Sequence, residues 1–168
     1  MSAGNSANGH GPQVAEIDAI VAGVGDKPGA LMLVLHEVQN RLCYIPSDTV
    51  PAIARALNLS RAEVHGVISF YHDFRSTPPG RHIIRVCRAE SCQAMGAVEL
   101  AAHIKKRVGI DFGETSADGG FTLEPVYCLG NCACSPAIVV GNDIHGRVTP
   151  ERFDEIIGAI APSARPQR

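Results

Sequence analysis

Six cysteines stand in this chain of 168 residues, and four of them form two close pairs, Cys87-x4-Cys92 and Cys128-x3-Cys132. Two pairs of thiols, each on its own short loop, can converge into a soft four-sulfur site for metal. Zinc sites most often place two residues between paired cysteines, with up to four tolerated. A gap of four recurs in plant-type 2Fe–2S proteins, and iron–sulfur clusters in general are held by four thiolates. Spacing alone favours a 2Fe–2S cluster and leaves zinc open.

Other chemistries find less support. Rieske centres exchange two cysteines for histidines, but no His follows Cys87 or Cys128 within four residues. His82, His103 and His145 read as ordinary strand or helix residues. The absence of any C-x-x-C argues against a thioredoxin-type dithiol enzyme. Cys43, after an apolar helix, reads as a small buried hydrophobe, and Cys134 as packing or as a thiol beside the site rather than a ligand. The glycines from Gly23 to Gly29 do not fit the dinucleotide fingerprint, which needs two residues where this chain has three and must follow a strand. Neither a Ser–His–Asp set nor a pair of carboxylates stands out. A metal centre without substrate chemistry belongs to an electron carrier or to a structural module.

Composition narrows the setting. Apolar residues make up 45% of the chain, enough for a core, while 19% charged residues and a net charge of -2 give no nucleic-acid footprint. The run Lys105-Lys106-Arg107 closes a predicted helix, where positive charge complements the helix dipole. No apolar run approaches the roughly 18 residues that a membrane span needs, and the first residues lack a secretory pattern. A reducing, cytoplasmic setting is therefore expected, in which disulfides are rare and thiols stay available.

The elements that must position the cysteines can be read from periodicity. Val14, Ile17, Ile20, Val21 and Val24 predict one helix, and Leu31, Val34, Leu35, Val38 and Leu42 a second over Ala30 to Leu42. Ser47 is expected to cap a third, and Ser60-Arg61-Ala62-Glu63 is a capping box that opens a fourth. Pro78-Pro79-Gly80 marks a linker. Beyond it the pattern alternates: a strand from His82 to Val86, a helix from Ala94 to Val108 with Val98, Ala101 and Ile104 inward, and a strand from Phe121 to Tyr127. A hairpin over Ala137–Val140 and Ile144–Val148 follows, then a helix capped by Thr149-Pro150. The expected organisation is a disordered arm over residues 1–12, a helical bundle over 13–75, a small α/β domain of thioredoxin-like architecture over 76–162, and a tail over 163–168.

Both cysteine pairs then begin where a strand ends. If the two strands are neighbours, four sulfurs can meet at one edge of the sheet. The helix expected just after Cys92 would aim its free amides at their negative charge. Gly130 can take positive φ and turn backbone N–H groups towards sulfur.

Tyr44-Ile45-Pro46, VHGVISFYHDFR (64–75), VCRAESC (86–92) and CLGNCACSPA (128–137) together strongly resemble the thioredoxin-like 2Fe–2S subunit family. Its members include the small peripheral-arm subunit of respiratory complex I, diaphorase-side subunits of NAD-linked hydrogenases, and the gamma subunit of soluble molybdenum-dependent NAD-linked formate dehydrogenases. Within it, RAEVHGVISFY, CRAESC and CLGNCACSPA are most like the formate dehydrogenase gamma subunit. The resemblance implies a helical bundle followed by a thioredoxin-like 2Fe–2S ferredoxin domain. It also implies that Cys87 and Cys92 hold one iron, and Cys128 and Cys132 the other. The implied partners are a beta-type flavoprotein that carries FMN and a 4Fe–4S cluster and binds NAD, and an alpha-type molybdopterin subunit that oxidises formate. This chain would relay or store single electrons beside the flavin. The alternatives are the equivalent subunit of complex I or of an NAD-linked hydrogenase and, from another class, a zinc-stabilised interaction module without redox function.

Overall fold

The computed structural model describes residues 10–24 and 27–160. Residues 1–9 of the expected arm and the tail 163–168 lie outside the described residues. The chain divides into two compact units between Pro78 and Pro79, where the sequence places the boundary at 75/76.

Four helices build the first unit: α1 His10–Val24, α2 Ala30–Leu42, α3 Val50–Ala56 and α4 Arg61–Phe70. The start of α1 corrects the expected arm, because residues 10–12 are helical. Pro12 sits in the first turn, where a missing N–H costs no intrahelical bond. One apolar face of each helix meets the others: Ile17 and Ile20 from α1, Val34, Leu35 and Val38 from α2, Ile53 from α3, and Val64 and Ile68 from α4. Each such side chain, fully buried, contributes about 1.5–3 kcal/mol relative to exposure. Ser47 does not cap α3. Residues Ser47–Thr49 form a single 3₁₀ turn, in which the Thr49 hydroxyl donates to the Pro46 carbonyl at 2.6 Å, and Pro51 then sits at the start of α3.

Two local devices hold this unit in place. Ser60 accepts from the Glu63 amide at 3.2 Å while the Ser60 amide donates to the Glu63 carboxylate at 2.8 Å, so the capping box closes in both directions. Ser60→Ala is expected to cost about 1 kcal/mol of stability, the usual loss of a helix cap; urea unfolding followed by helical circular dichroism measures it. Buried Gln39 carries no signal in the sequence. Its side chain donates to the Asp73 carbonyl at 2.8 Å and accepts from the Arg75 amide at 2.7 Å, which pins the segment after α4 back onto α2.

The second unit is one sheet and three helices: β1 His82–Cys87, α5 Glu90–Ala94, α6 Ala97–Val108, β2 Phe121–Val126, β3 Ile138–Val140, β4 Asp143–His145 and α7 Pro150–Ala159. Strand order is β2-β1-β3-β4, with β1 and β2 parallel and the other pairs antiparallel. Ile84, Val86, Leu123 and Ile138 of the sheet pack with Leu100, Ala101 and Ile104 of α6 and with Phe153, Ile156 and Ile157 of α7. The inward face of α6 is thus Ala97, Leu100, Ala101 and Ile104, and Val98 is 53% exposed, contrary to expectation. That set follows the i, i+3, i+4, i+7 spacing of a helix stripe, and Val98 falls off it. Arg85 and Glu124, partners across β1 and β2, form an ion pair at 3.0 Å. Thr149 caps α7 by accepting from the Arg152 amide at 3.2 Å. Among the described residues no helix is long and apolar enough to cross a membrane.

Candidate metal centre

Parallel neighbouring strands finish at the same edge of a sheet, about 4.8 Å apart. β1 ends in Cys87, which is in register with Val126, the last residue of β2, and Cys128 follows two residues later. The Arg88 amide donates to the Val126 carbonyl at 2.7 Å, carrying the ladder past Cys87. The Cys87 amide donates to the Ala137 carbonyl at 3.1 Å, so the approach to β3 is tied to the same edge. Strand pairing therefore brings both cysteine loops together, as a four-sulfur site requires.

Cys92 is held differently from expectation. It does not precede a long helix but lies within α5, a single turn whose N-cap is Ala89; the chain breaks at Met95-Gly96 before α6 begins. One helical turn folds the chain back, so that the Cys87 and Cys92 thiols come close enough to influence each other's ionisation. Both are buried, at 3% and 2% exposed.

The second loop is shaped by backbone conformation. Gly130 has φ 73°, and its amide donates to Cys128 Sγ at 3.3 Å. Cys128 itself has φ 125°, a region sparsely populated by residues with a side chain and costing of order 1–3 kcal/mol. Such strain persists only where the surroundings impose it. Cys128 Sγ and Cys132 Sγ stand 3.8 Å apart, and both residues are exposed. Two sulfurs each about 2.3 Å from one tetrahedral metal must stand about 3.8 Å apart. No three His, Cys, Asp or Glu side chains among the described residues close around a single point as one metal ion needs. The four thiols fall instead into two pairs.

Their electrostatics are shared. Burial pushes the Cys87 thiol up, and the neighbouring Cys92 adds to this against the amides of Ala89 and Leu129. Burial acts likewise on Cys92, but the Ser135 hydroxyl, the Cys87 thiol and the Ala137 amide beside it outweigh this and bring that thiol down. Cys132 is raised chiefly by its hydrogen bond to Cys128 and by the charge there, then by burial and by Cys92 and Cys87. Cys132 thus responds to the other three sulfurs, and each thiol proton must leave when metal binds. Backbone N–H groups converge on the resulting negative charge, which is the donor pattern that a thiolate-held cluster requires.

The other cysteines separate from this set. Cys43 is only half-buried and caps α2 with φ 69°, because the chain must reverse after Leu42. Cys134 is half-buried and acts through its backbone: its amide donates to the Asn131 carbonyl at 3.0 Å and its carbonyl accepts from the Arg147 amide at 2.6 Å. Cys134→Ser is expected to keep full iron content and its visible spectrum; loss of either would make Cys134 a ligand. His103 bonds Asp154 between α6 and α7 at 3.1 Å, and His82 packs on Phe121 with ring centroids 5.8 Å apart. Three contributors escape a reading of the sequence: Ser91, Ser135 and Gly146. A hydroxyl or a glycine carries no signal until the loops are folded together.

Residues 17–161 match the thioredoxin-like [2Fe-2S] ferredoxin family. The chain belongs to that family. Its cofactor is one 2Fe–2S cluster, and the paired thiols with their converging amides fit that group. Among its relatives is a subunit of NADH-quinone oxidoreductase from Pseudomonas aeruginosa, 40% identical over 134 residues, covering 80% of this chain and 81% of that protein. NADP-reducing hydrogenase subunit HndA of Solidesulfovibrio fructosivorans is 32% identical over 146 residues, covering 87% of this chain and 85% of the other. A crystal structure of an NAD+-reducing [NiFe]-hydrogenase in the air-oxidized state is similar with a TM-score of 0.65 and 25% identity; the likeness covers 76% of this chain but only 22% of that chain.

Proposed function

We propose that this chain is the 2Fe–2S electron-transfer subunit of a cytoplasmic NAD-linked oxidoreductase, with Cys87 and Cys92 holding one iron and Cys128 and Cys132 the other. The observation that carries this reading is the meeting of both cysteine loops at the end of β1 and β2, with the Gly130 amide donating to Cys128 Sγ. Bound there, the cluster supplies one-electron chemistry. The protein's own part is to fix the four thiolates, to bury Cys87 and Cys92 away from water, and to leave Cys128 and Cys132 at the surface, where an electron partner can approach. The match to the thioredoxin-like [2Fe-2S] ferredoxin family supports two irons over a single zinc ion. The names of the relatives, an NADH-quinone oxidoreductase subunit and an NADP-reducing hydrogenase subunit, support an NAD(P)-linked complex, and the family resemblance implies a flavoprotein neighbour within it.

Within that class the formate dehydrogenase gamma subunit is the specific assignment, with an FMN-, NAD- and 4Fe–4S-bearing beta-type partner and a molybdopterin alpha-type partner. It rests on the likeness of the motif stretches RAEVHGVISFY, CRAESC and CLGNCACSPA. The 40% identity to the NADH-quinone oxidoreductase relative favours a second reading, the equivalent component of such a complex. Purification of the native assembly separates them. Formate-dependent NAD reduction by the co-purified complex supports the first; NADH–quinone or hydrogen-dependent activity without formate turnover overturns it. Zinc in place of iron and sulfide in the isolated chain overturns the redox reading altogether.

A further inference from the structure

Ser135, 7% exposed, lies between the two cysteine loops. Its Oγ is 3.4 Å from Cys92 Sγ, 2.9 Å from the Cys132 carbonyl oxygen and 2.9 Å from Ser91 Oγ. Ser91 Oγ is in turn 3.3 Å from the same carbonyl. A hydroxyl has one proton to give and two lone pairs to accept with. While Cys92 is a thiol, its S–H donates to Ser135 and Ser135 donates to the Cys132 carbonyl. A thiolate has no proton to give. Sulfur and hydroxyl oxygen would then face each other as acceptors unless the Ser135 proton turns to the sulfur. Ser91 makes that turn possible, because its own hydroxyl can take over the Cys132 carbonyl. The two hydroxyl protons then serve the sulfur and the carbonyl, and the 2.9 Å contact between Ser91 Oγ and Ser135 Oγ gives up its own.

We propose that Ser135, oriented by Ser91, donates a charge-assisted hydrogen bond to the Cys92 sulfur in the cluster-loaded protein and thereby raises the reduction potential. The proposal rests on Cys92 being a ligand, as argued above. Its sign follows from charge. Reduction by a one-electron donor adds one negative charge, makes and breaks no bond and moves no proton between groups. Part of that charge falls on the ligand sulfurs, so a hydrogen bond to sulfur is stronger after reduction than before it. The Ala137 amide also favours the charged form of this sulfur and is untouched by side-chain substitution at residue 135, so removing the hydroxyl weakens the support of the sulfur without abolishing it. Ser135 is a positioning and tuning residue, since it acts through a ligand.

The test is a redox titration of the full chain carrying its cluster, with dithionite as reductant and mediators present, followed by the paramagnetic signal of the reduced form. Ser135→Ala is expected to disfavour reduction about tenfold, a shift of ~59 mV to lower potential for a one-electron couple. Ser135→Thr keeps the hydroxyl and is expected to stay within about twofold of the parent, or ~20 mV on the same scale. Ser91→Ala is expected to shift in the same direction by less. A Ser135→Ala protein that retains its signal with an unchanged potential overturns the proposal. If Ser135→Ala fails to take up the cluster, Ser91→Ala decides: a lowered potential supports the hydrogen bond, and an unchanged one overturns it. A parent chain that binds no iron–sulfur cluster defeats the ligand assignment itself, which is a different result from a cluster whose potential ignores Ser135.

Discussion

Cys87→Ala is expected to abolish the visible colour of the protein and the paramagnetic signal of its reduced form, and to lower the stability of the second unit. Cys87 is buried at the end of the central strand β1, so alanine fits the space and the apolar surroundings with little packing loss. What disappears is a thiolate that other groups have been arranged to serve, among them the amides of Ala89 and Leu129. Losing a mere outer-shell partner costs about 10- to 100-fold in metal affinity, and losing a ligand costs more. Binding free energy at a site assembled by folding is also folding free energy, so the two loops that the cluster closes loosen with it. The helical unit has its own core and is expected to keep its far-ultraviolet signal. Iron and sulfide analysis with urea unfolding checks both halves. A Cys87→Ala protein with parental iron content would remove Cys87 from the ligand set.

Gly146→Ala is expected to produce the second large effect, although residue 146 holds no metal. A Cβ at this position would lie 2.6 Å from Cys134 Cβ, 2.8 Å from the Cys134 carbonyl oxygen and 2.9 Å from Asn131 Nδ2. The neighbouring Arg147 amide is bonded to that same carbonyl at 2.6 Å, so the strand end and the loop cannot simply part. The displaced segment, Asn131 to Cys134, carries Cys132. Overpacking of this kind costs typically about 1–3 kcal/mol, and here it also displaces a proposed ligand. The expected result is a cluster that is lost on mild heating or to a chelator under conditions that spare the parent. Indistinguishable loss rates in the two proteins would show that the loop does not depend on this close approach.

Both effects show where sequence reasoning stops. The thiols that matter are visible as Cys-x4-Cys and Cys-x3-Cys, but nothing in those spacings says that Cys87 and Cys92 are buried while Cys128 and Cys132 are exposed. Ser60 and Glu63 are three residues apart, and their capping box is found as read, because both partners belong to one turn. The helix after Cys92 differs from expectation for a related reason. Its apolar period continues across Met95-Gly96, yet the chain breaks there, and the return of Cys92 to Cys87 needs only the one turn of α5. Cys43 and Ser47 differ similarly: each sits at a chain reversal whose shape depends on what the next helix packs against.

The amino-acid sequence by itself determined which thiols are paired, the series of helices and strands, and several of the residues that start and stop them, the Ser60–Glu63 box and Thr149 among them. These depend on contacts within a few residues, where side-chain type acts directly on the backbone beside it. Only the tertiary structure decided that β1 and β2 end side by side, that Ser135 reaches from one cysteine loop to a sulfur of the other, and that residue 146 must lack a side chain. Those facts arise from groups 12 to 43 positions apart (Cys134 and Gly146; Cys92 and Ser135). Their meeting is set by the burial of the sheet's apolar face under α6 and α7, which no local pattern encodes.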